Sequence, residues 1–452
     1  MAASLSKTIS GWGRYPVAES ILIRPEKIPQ VCILGEEHLI CRGQGRSYGD
    51  AAISSQGRVI LTERLNRFLA FDNATGVLTA EAGVTLAEIL ETFVPRGWFP
   101  PVTPGTQYVS LGGAIAADVH GKNHHHKGAF AAHVIELELI LADGRRQRCS
   151  PNQNEALFWA TVGGMGLTGI ITEVSFRLMP IETAAIMARN YTAPGLETIF
   201  KWLEDTEHDD QYSVAWLDCA GRSHQLGRGV LMVGHHAVRD ELPGDWEEPL
   251  RFHPKQPKNV PFDLPAFILN QVTVAAFNER YYRRQGSKKG PFLTDYSEFF
   301  YPLDTLDHWN RLYGKRGFLQ YQAAIPEPHT YEGIRRLLER LARSGQASFL
   351  AVLKRLGSGN AAPLSFPLAG YTLALDLPMG GEKVLNLLQQ LDEIVIDYGG
   401  RVYLAKDARL SPESLRAMYP RLGEWQQVKQ VIDPEERFQS DLSRRLQLTG
   451  AS

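Results

Sequence analysis

A chain of 452 residues is too long for one ordinary hydrophobic core, so two domains of roughly 150 to 250 residues are expected. A 44% hydrophobic and 22% charged composition with a net charge of −2 describes a soluble globular enzyme and gives no global reason to bind nucleic acid. Cys32, Cys41, Cys149 and Cys219 form no C-x-x-C pair, which argues against a disulfide scaffold or a zinc knuckle; with neither an apolar leader nor a run of about twenty apolar residues, a cytoplasmic protein, soluble or peripheral to the inner membrane, is expected.

From Ile21 to Val84 short β-like runs dominate (ILI, HLICR, RVILT, FLAFD, VLTAEA), the last two joined by a hairpin over Asn73 to Gly76, and they read as one small mixed sheet. Thr85 and Glu88 form a capping-box pattern that opens a helix, closed by Pro95 and Gly97. VIELELILA (134–142) is a strand, and an Asp143-Gly144 turn makes a second hairpin with RRQRCS. A short helix around Glu155 to Ala160 precedes GGMGLTG (163–169), and GIITEVSFRLMP returns to strand alternation. The texture changes near residue 184. Aromatic-rich strands (QYSVAWLDC, GFLQYQAAI, SFLAVLKRL) then alternate with helical patterns around Tyr331 to Arg343 and Lys383 to Tyr398, the pattern of a sheet with helices on one face. The tail after Tyr403 is helical over SPESLRAMY and PEERFQSDLSRRL.

Three side-chain-poor segments stand out in the first 170 residues: GQGRSYGD (43–50), PGTQYVSLGGAIAADVHGKNHHHKG (104–128) and GGMGLTG. Such stretches cannot fill a core; they let backbone amides approach a large ligand, because glycine has no Cβ to hold it away. Three of them point to one extended cofactor touched at several places. Gly164-x-Gly166-x-x-Gly169 spells the dinucleotide fingerprint, but a helix precedes it and a strand follows, the reverse of a Rossmann site. Gly43 to Gly49 follows a strand without opening a helix and leaves consecutive N–H groups for an anion nest. His124, His125 and His126 are adjacent in sequence and cannot all converge on one metal ion in extended backbone. His120 and Lys122 are bulky polar side chains inside a small-residue segment. Residues 251–290 carry eight Lys or Arg against two acids beside the apolar run PFDLPAFILNQVTVAAF; they read either as a solvated basic loop with a core helix or as a surface for anionic lipid headgroups.

The strings GWGR (11–14), RGQGRSYGD (42–50), LGGAIAADVHGKNHH (111–125), LFWATVGGMGLTGII (157–171), AWLD (215–218), YPLDTLDHWNRLYGKRGFLQYQ (301–322) and VYLAKDAR (402–409) resemble the FAD-dependent oxidases of the vanillyl-alcohol oxidase fold, and most of all their decaprenylphosphoryl-ribose oxidase branch. The resemblance implies a two-domain α+β fold: a bipartite FAD-binding domain over 1–184, a substrate or cap domain over 185–400 with an antiparallel sheet covered by helices, and a segment 401–452 that returns to the first domain. It implies that FAD is held by Arg42, Gly43, Gln44, Gly45, Arg46, Ser47, Tyr48 and Gly49, by Pro104, Gly105 and Thr106, by Gly112, Gly113, Ala117, Asp118, Gly121, Asn123 and His124, and by Gly169 and Ile170. By the same motifs His120, Lys122, Tyr301, Gln320, Gln322, Lys354 and Lys406 face flavin and sugar, and Trp216 and Tyr48 line the pocket. Several relatives bind flavin covalently through a histidine of the first loop; Tyr48 stands at about that place here, so non-covalent FAD is expected. Ala374 replaces a pocket cysteine of a relative, and the segment before the first loop is short, leaving only a turn or two for the first helix.

The implied activity is oxidation of the 2′-hydroxyl of a polyprenylphosphoryl ribose, the first half of an epimerisation that a short-chain dehydrogenase partner would complete. Lys406 is expected at the reacting hydroxyl with His120 orienting or sharing the proton; a lysine acts as base only where burial or neighbouring charge lowers its pKa. Lys354, with Lys122 or the 251–290 segment, would neutralise the phosphate. An oxidase of a soluble sugar, alditol or aldonolactone, and a flavin-carrying electron-transfer or scaffold subunit, are the alternatives.

Overall fold

The computed structural model describes residues 4–449 except 32–37, 207–209, 220–225, 245, 252–256, 266–267 and 347. Strands β1 (Ser4–Ser10), β2 (Val17–Ile23), β3 (Leu39–Arg42) and β4 (Arg58–Leu61) form a mixed sheet in the order β1-β2-β4-β3, with β2 and β3 both parallel to β4. Next come β5 (Phe68–Asp72), β6 (Val77–Glu81), α1 (Leu86–Phe93), β7 (Trp98–Phe99), α2 (Leu111–Ala116), α3 (His124–Lys127), β8 (Val134–Ile140), β9 (Arg146–Cys149), α4 (Glu155–Thr161), β10 (Ile170–Arg177) and β11 (Met179–Pro180). Of these strands, β7 and β11 pair with each other, and the rest form an antiparallel sheet ordered β5-β6-β10-β8-β9.

The expected single sheet from Ile21 to Val84 is therefore two sheets. Both hairpins and the Thr85 cap form as read, the Thr85 side chain accepting from the Glu88 N–H. The partner of β6, however, is β10, almost a hundred residues on (Glu81↔Glu173), a pairing that local sequence does not encode.

The remaining strands are β12 (Ala185–Ala193), β13 (Tyr212–Leu217), β14 (Gly229–His236), β15 (Lys258–Asn259), β16 (Phe292–Asp295), β17 (Leu306–Asp307), β18 (Phe318–Pro326), β19 (Ala351–Leu356), β20 (Gly370–Pro378) and β21 (Arg401–Val402). Eight of them make one sheet ordered β16-β12-β14-β13-β19-β20-β18-β21. The helices are α5 (Leu196–Asp205), α6 (Gln271–Gly286), α7 (Tyr296–Phe300), α8 (Thr330–Ser344), α9 (Glu382–Asp397), α10 (Pro412–Met418), α11 (Leu422–Ile432) and α12 (Asp441–Arg445).

Period-two alternation splits the large sheet into two faces. Ala215, Leu217, Leu231, Val233 and Leu353 point into one core with Leu196 and Ile199 of α5, with Ile334, Leu337, Leu338 and Leu341 of α8, and with Leu387 and Leu391 of α9. The i, i+3, i+4, i+7 spacing on α8 puts its four apolar side chains on one stripe, each stabilising by roughly 1.5–3 kcal/mol on full burial. Val214, Trp216, Met232 and Val352, on alternate positions, face the other way into a large cavity.

Helices do not keep to one face, as the sequence pattern led one to expect. Helix α6 lies over the cavity face, with Tyr281 4.7 Å from Trp216 between ring centroids. It starts at Gln271 behind the Asn270 cap, later than the apolar run PFDLPAFIL, part of which lies outside the described residues.

The tail departs in a second way. PEERF is not helical: Asp433 accepts hydrogen bonds from the Arg437 and Phe438 amides (both 2.8 Å), and Phe438 bridges in parallel to Leu39. The helix α11 just before it has no counterpart in the sequence reading, and only Asp441–Arg445 of the expected final helix forms.

Candidate active site

The glycine segments become one wall because each packs its backbone on the next. Just after β3, a Cβ on Gly43 would lie 2.2 Å from Oγ of Ser110, the residue that caps α2, so the first and second segments touch there. Gly45 sits at φ 64°, open to glycine at little steric cost. The Tyr48 amide donates to the Ala405 carbonyl (3.0 Å), and a Cβ on Gly49 would come within 1.8 Å of the Asp407 carbonyl oxygen, which brings the 405–408 turn against the first loop. The third segment closes the ring: the Gly163 and Met165 amides donate to the carbonyls of Ile115 and Ala116 at the end of α2. As read from sequence, a helix precedes this segment and a strand follows it.

These walls enclose about 2200 Å³ of atom-free space, counted with its open mouth. Gly43 to Tyr48, Pro104 to Thr106, Gly112, Gly113, Ala117, Gly121 and Gly169 all line it. So do His120, Lys122, Trp216, Gln320, Gln322, Lys354, Ala374 and Lys406.

Other expected contacts are not on the wall, each for a visible reason. Arg42 donates to the Ser10 carbonyl (2.8 Å), and Gly49 is packed against Asp407. Asp118 is buried, accepting from Asn360 (2.7 Å) and Ser365 (2.5 Å), and burial raises its carboxyl pKa. Asn123 donates to the Pro101 carbonyl (2.9 Å), while the His124 ring accepts from the Gly357 amide (2.9 Å). Ile170 belongs to a core with Ile60 and Phe438, and the Tyr301 hydroxyl is hydrogen-bonded to Thr103 (2.5 Å), one residue behind the cavity. These residues support the wall.

One end of the cavity is dense in positive charge. Burial pushes Lys406 down to about 7, with Lys354 adding to the fall and Asp376 opposing it. Burial likewise brings Lys122 to about 7, helped by Lys354, and Lys354 itself to about 8. The Lys406 Nζ rests 3.7 Å from the centroid of the Tyr48 ring; Lys122 donates to the Phe299 carbonyl and lies 4.2 Å from that residue's ring centroid.

His120 is held neutral by burial first, then by Lys354, His124 and Lys406. Gln322 Nε2 donates to His120 Nε2 at 2.9 Å, which assigns the ring proton to Nδ1. On the same loop as Tyr48, Arg46 stacks 4.2 Å from Trp12 and 5.1 Å from Tyr108, and burial lifts Asp304 beside it to about 6.

The adjoining wing, formed by Val214, Trp216, Met232, Tyr281, Leu350 and Val352, is apolar, and apart from Trp216 the sequence reading missed it; Val352 lies two residues from Lys354 on β19. The alternation within β13 and β14 held the signal. It did not say which face of the strand met a core and which met a ligand.

The geometry suits an extended, partly charged cofactor. Two buried polar atoms on the wall, Arg46 Nε and His120 Nδ1, have no hydrogen-bond partner among the described residues, and Gly105 has open space beyond its Cα. Comparisons with known proteins agree. A model of an FAD binding domain matches residues 31–150, and a model of D-arabinono-1,4-lactone oxidase matches residues 318–446. Decaprenylphosphoryl-beta-D-ribose oxidase of Mycolicibacterium smegmatis is 39% identical over 453 residues, covering 98% of either chain. L-gulono-1,4-lactone dehydrogenase of Mycobacterium tuberculosis is 22% identical over 461 residues, covering 98% of this chain and 99% of that one. Delta(24)-sterol reductase of Homo sapiens is 27% identical over 167 residues, 37% of this chain and 31% of the other.

Proposed function

Because the chain belongs to the family of FAD-dependent oxidases that includes decaprenylphosphoryl-beta-D-ribose oxidase, and so has the two-domain α+β fold of the vanillyl-alcohol oxidase type, we propose that it oxidises the 2′-hydroxyl of a polyprenylphosphoryl ribose. One observation carries this reading: a single cavity joins a cluster of half-buried lysines, Lys122, Lys354 and Lys406, to an apolar wing around Trp216 and Met232. A phosphosugar on a prenyl chain needs both.

FAD, when bound, supplies the acceptor for the hydride that leaves the substrate carbon. The wall residues of the glycine segments would hold it non-covalently, since Tyr48 occupies the loop position used for covalent attachment in relatives; the residues behind the wall brace them. Residues 1–184 and 401–452 form the cofactor unit in this reading, and 185–400 the cap. Lys406, partly neutral near pH 7 because it is buried, takes the hydroxyl proton, and neutral His120 orients the sugar beside it. Lys354 and Lys122 meet the phosphate. The product is a ketone, which a short-chain dehydrogenase partner would reduce on the opposite face to complete an epimerisation.

The test is anaerobic mixing of the purified yellow protein with polyprenylphosphoryl ribose. Wild type is expected to lose its flavin colour, and Lys406→Ala to stay yellow with bleaching slowed about 10²–10⁴-fold, the usual contribution of a general base. A Lys406→Ala protein that bleaches at the wild-type rate refutes the assignment. A second reading, oxidation of a soluble aldonolactone, draws on the lactone-oxidase match over 318–446, which carries Gln320, Gln322, Ala374 and Lys406. Bleaching by free lactones but not by the lipid sugar would select it.

A further inference from the structure

A buried carboxylate behind the cavity wall has no part in the scheme above. Asp376 is fully buried on β20, directly across the ladder from Gln320 on β18. It does not line the cavity; Gln320 does. Asp376 Oδ1 accepts from Gln320 Nε2 at 2.5 Å, its other oxygen faces the Tyr313 hydroxyl at 3.4 Å, and its own amide donates to Ser348 Oγ at 3.1 Å.

Burial raises the Asp376 carboxyl pKa, and Gln320, Lys406 and Tyr313 oppose that rise; in its ionised form it only accepts, so its partner is the NH2 end of the Gln320 amide, which sets the flip of that side chain. On the far side burial pushes the Tyr48 phenol up and Gln320 pulls it partly back. With the NH2 end of Gln320 turned to Asp376, its carbonyl oxygen is the group left to the cavity that this side chain lines. Resting on the proposed sugar oxidation, we propose that Asp376 is a positioning residue: it locks Gln320 with its carbonyl toward the substrate as an acceptor for a sugar hydroxyl, and in its ionised form it is the carboxylate partner of the Lys406 ammonium.

The second half makes a claim about pH. Asp376 is faced by Tyr313, Tyr48 and Lys406; Lys406 is faced by Asp376, Tyr48, Lys354 and His120. Asp376 is the one carboxylate among these groups. It opposes the fall in the Lys406 pKa, so its removal lets Lys406 lose its proton at lower pH.

The test compares wild type with Asp376→Asn, Gln320→Met and the double variant Asp376→Asn/Gln320→Glu, all purified with FAD. Anaerobic flavin bleaching by polyprenylphosphoryl ribose is followed across pH, with flavin absorbance and thermal midpoint recorded for each protein. The amide that D376N introduces can offer either of its ends to Gln320. The D376N protein is therefore expected to bind substrate roughly 10-fold more weakly, the scale of one lost hydrogen bond to a fixed acceptor, and to move its acid limb to lower pH. In the double variant the NH2 of that new amide donates to the carboxylate that Q320E introduces, which again turns an oxygen to the cavity, and affinity is expected to recover to within a few-fold of wild type.

A purely structural Asp376 would lower the thermal midpoint and leave affinity and acid limb in place, and that result overturns the inference. So does a double variant no better than D376N. Should D376N fail to retain flavin, Q320M decides: the same loss of affinity with an unmoved acid limb is expected, and unchanged affinity refutes the role. A wild-type protein that the lipid sugar does not bleach defeats the functional reading itself, and this inference with it; a bleached wild type beside an unchanged D376N defeats only the inference.

Discussion

Lys122, Lys354 and Lys406 are half-buried in the cavity wall, where an ammonium loses part of its hydration, and each is pushed toward the neutral amine, to about 7, 8 and 7. Their folded-state values lie below the ~10.4 of an unfolded lysine, so between these limits the unfolded chain binds protons that the folded one does not. This contribution to stability is complete above the unfolded value and is lost as pH falls through 8 and 7. The thermal midpoint of the substrate-free protein is therefore expected to rise between about pH 7 and 9, and Lys122→Met/Lys354→Met should flatten that slope. Differential scanning calorimetry of the two proteins measures it, and equal slopes would refute the electrostatic account. Lys122 and His120 could be singled out from sequence because a bulky polar side chain is conspicuous among glycines and alanines. Lys354 and Lys406 could not: each sits in a stretch of unremarkable strand or turn, and only resemblance pointed to them. Asp376 was missed for the same reason, reading as one polar position in the alternation of GYTLALDLP.

Secondary-structure elements with local punctuation were legible, and those defined by distant partners were not. The two hairpins and the Thr85–Glu88 cap carry their instructions within a few residues. The division of the early strands between two sheets, the placement of α6 over the cavity and the break before α12 depend on contacts made far along the chain. The return of the tail is the clearest example. Arg445 of α12 donates to both oxygens of Asp50 (2.8 Å each) at the end of the first glycine loop and to Asp407 (2.9 Å) just after Lys406. Both carboxylates are almost fully buried, so removing the guanidinium strands two negative charges. Arg445→Ala is expected to cost about 3–5 kcal/mol, the penalty for breaking a buried pair from one side. Because these residues brace Tyr48 and Lys406 from behind, the variant should also release flavin more readily. Chemical denaturation and flavin absorbance after gel filtration would register both losses, and a variant with wild-type stability would show that the tail is held by packing alone.

On the scale of the whole molecule, the apolar wing of the cavity continues to the surface. Trp216 on its wall contacts Tyr281 (4.7 Å), Tyr281 stacks on Phe277 (6.1 Å), and the Phe277 ring is 47% exposed on the outer face of α6. Five residues earlier Val272 is 76% exposed, and the other end of the helix carries the exposed basic residues Arg280, Arg283 and Arg284, followed just past its end by Lys288 and Lys289. No helix among the described residues is long and apolar enough to cross a membrane. If the chain meets a bilayer, the exposed Val272 and Phe277 are the side chains placed to insert shallowly, near cations that attract anionic headgroups. A prenyl chain could then pass along the aromatic path without crossing water. Co-sedimentation should show binding to vesicles rich in anionic lipid, weaker binding to zwitterionic ones, and a fall with added salt. Val272→Glu/Phe277→Glu should abolish that binding and slow turnover of vesicle-borne substrate, while a short-chain, water-soluble analogue is oxidised at the wild-type rate. Equal loss on both substrates would instead mean that α6 serves the cavity from within and meets no lipid surface.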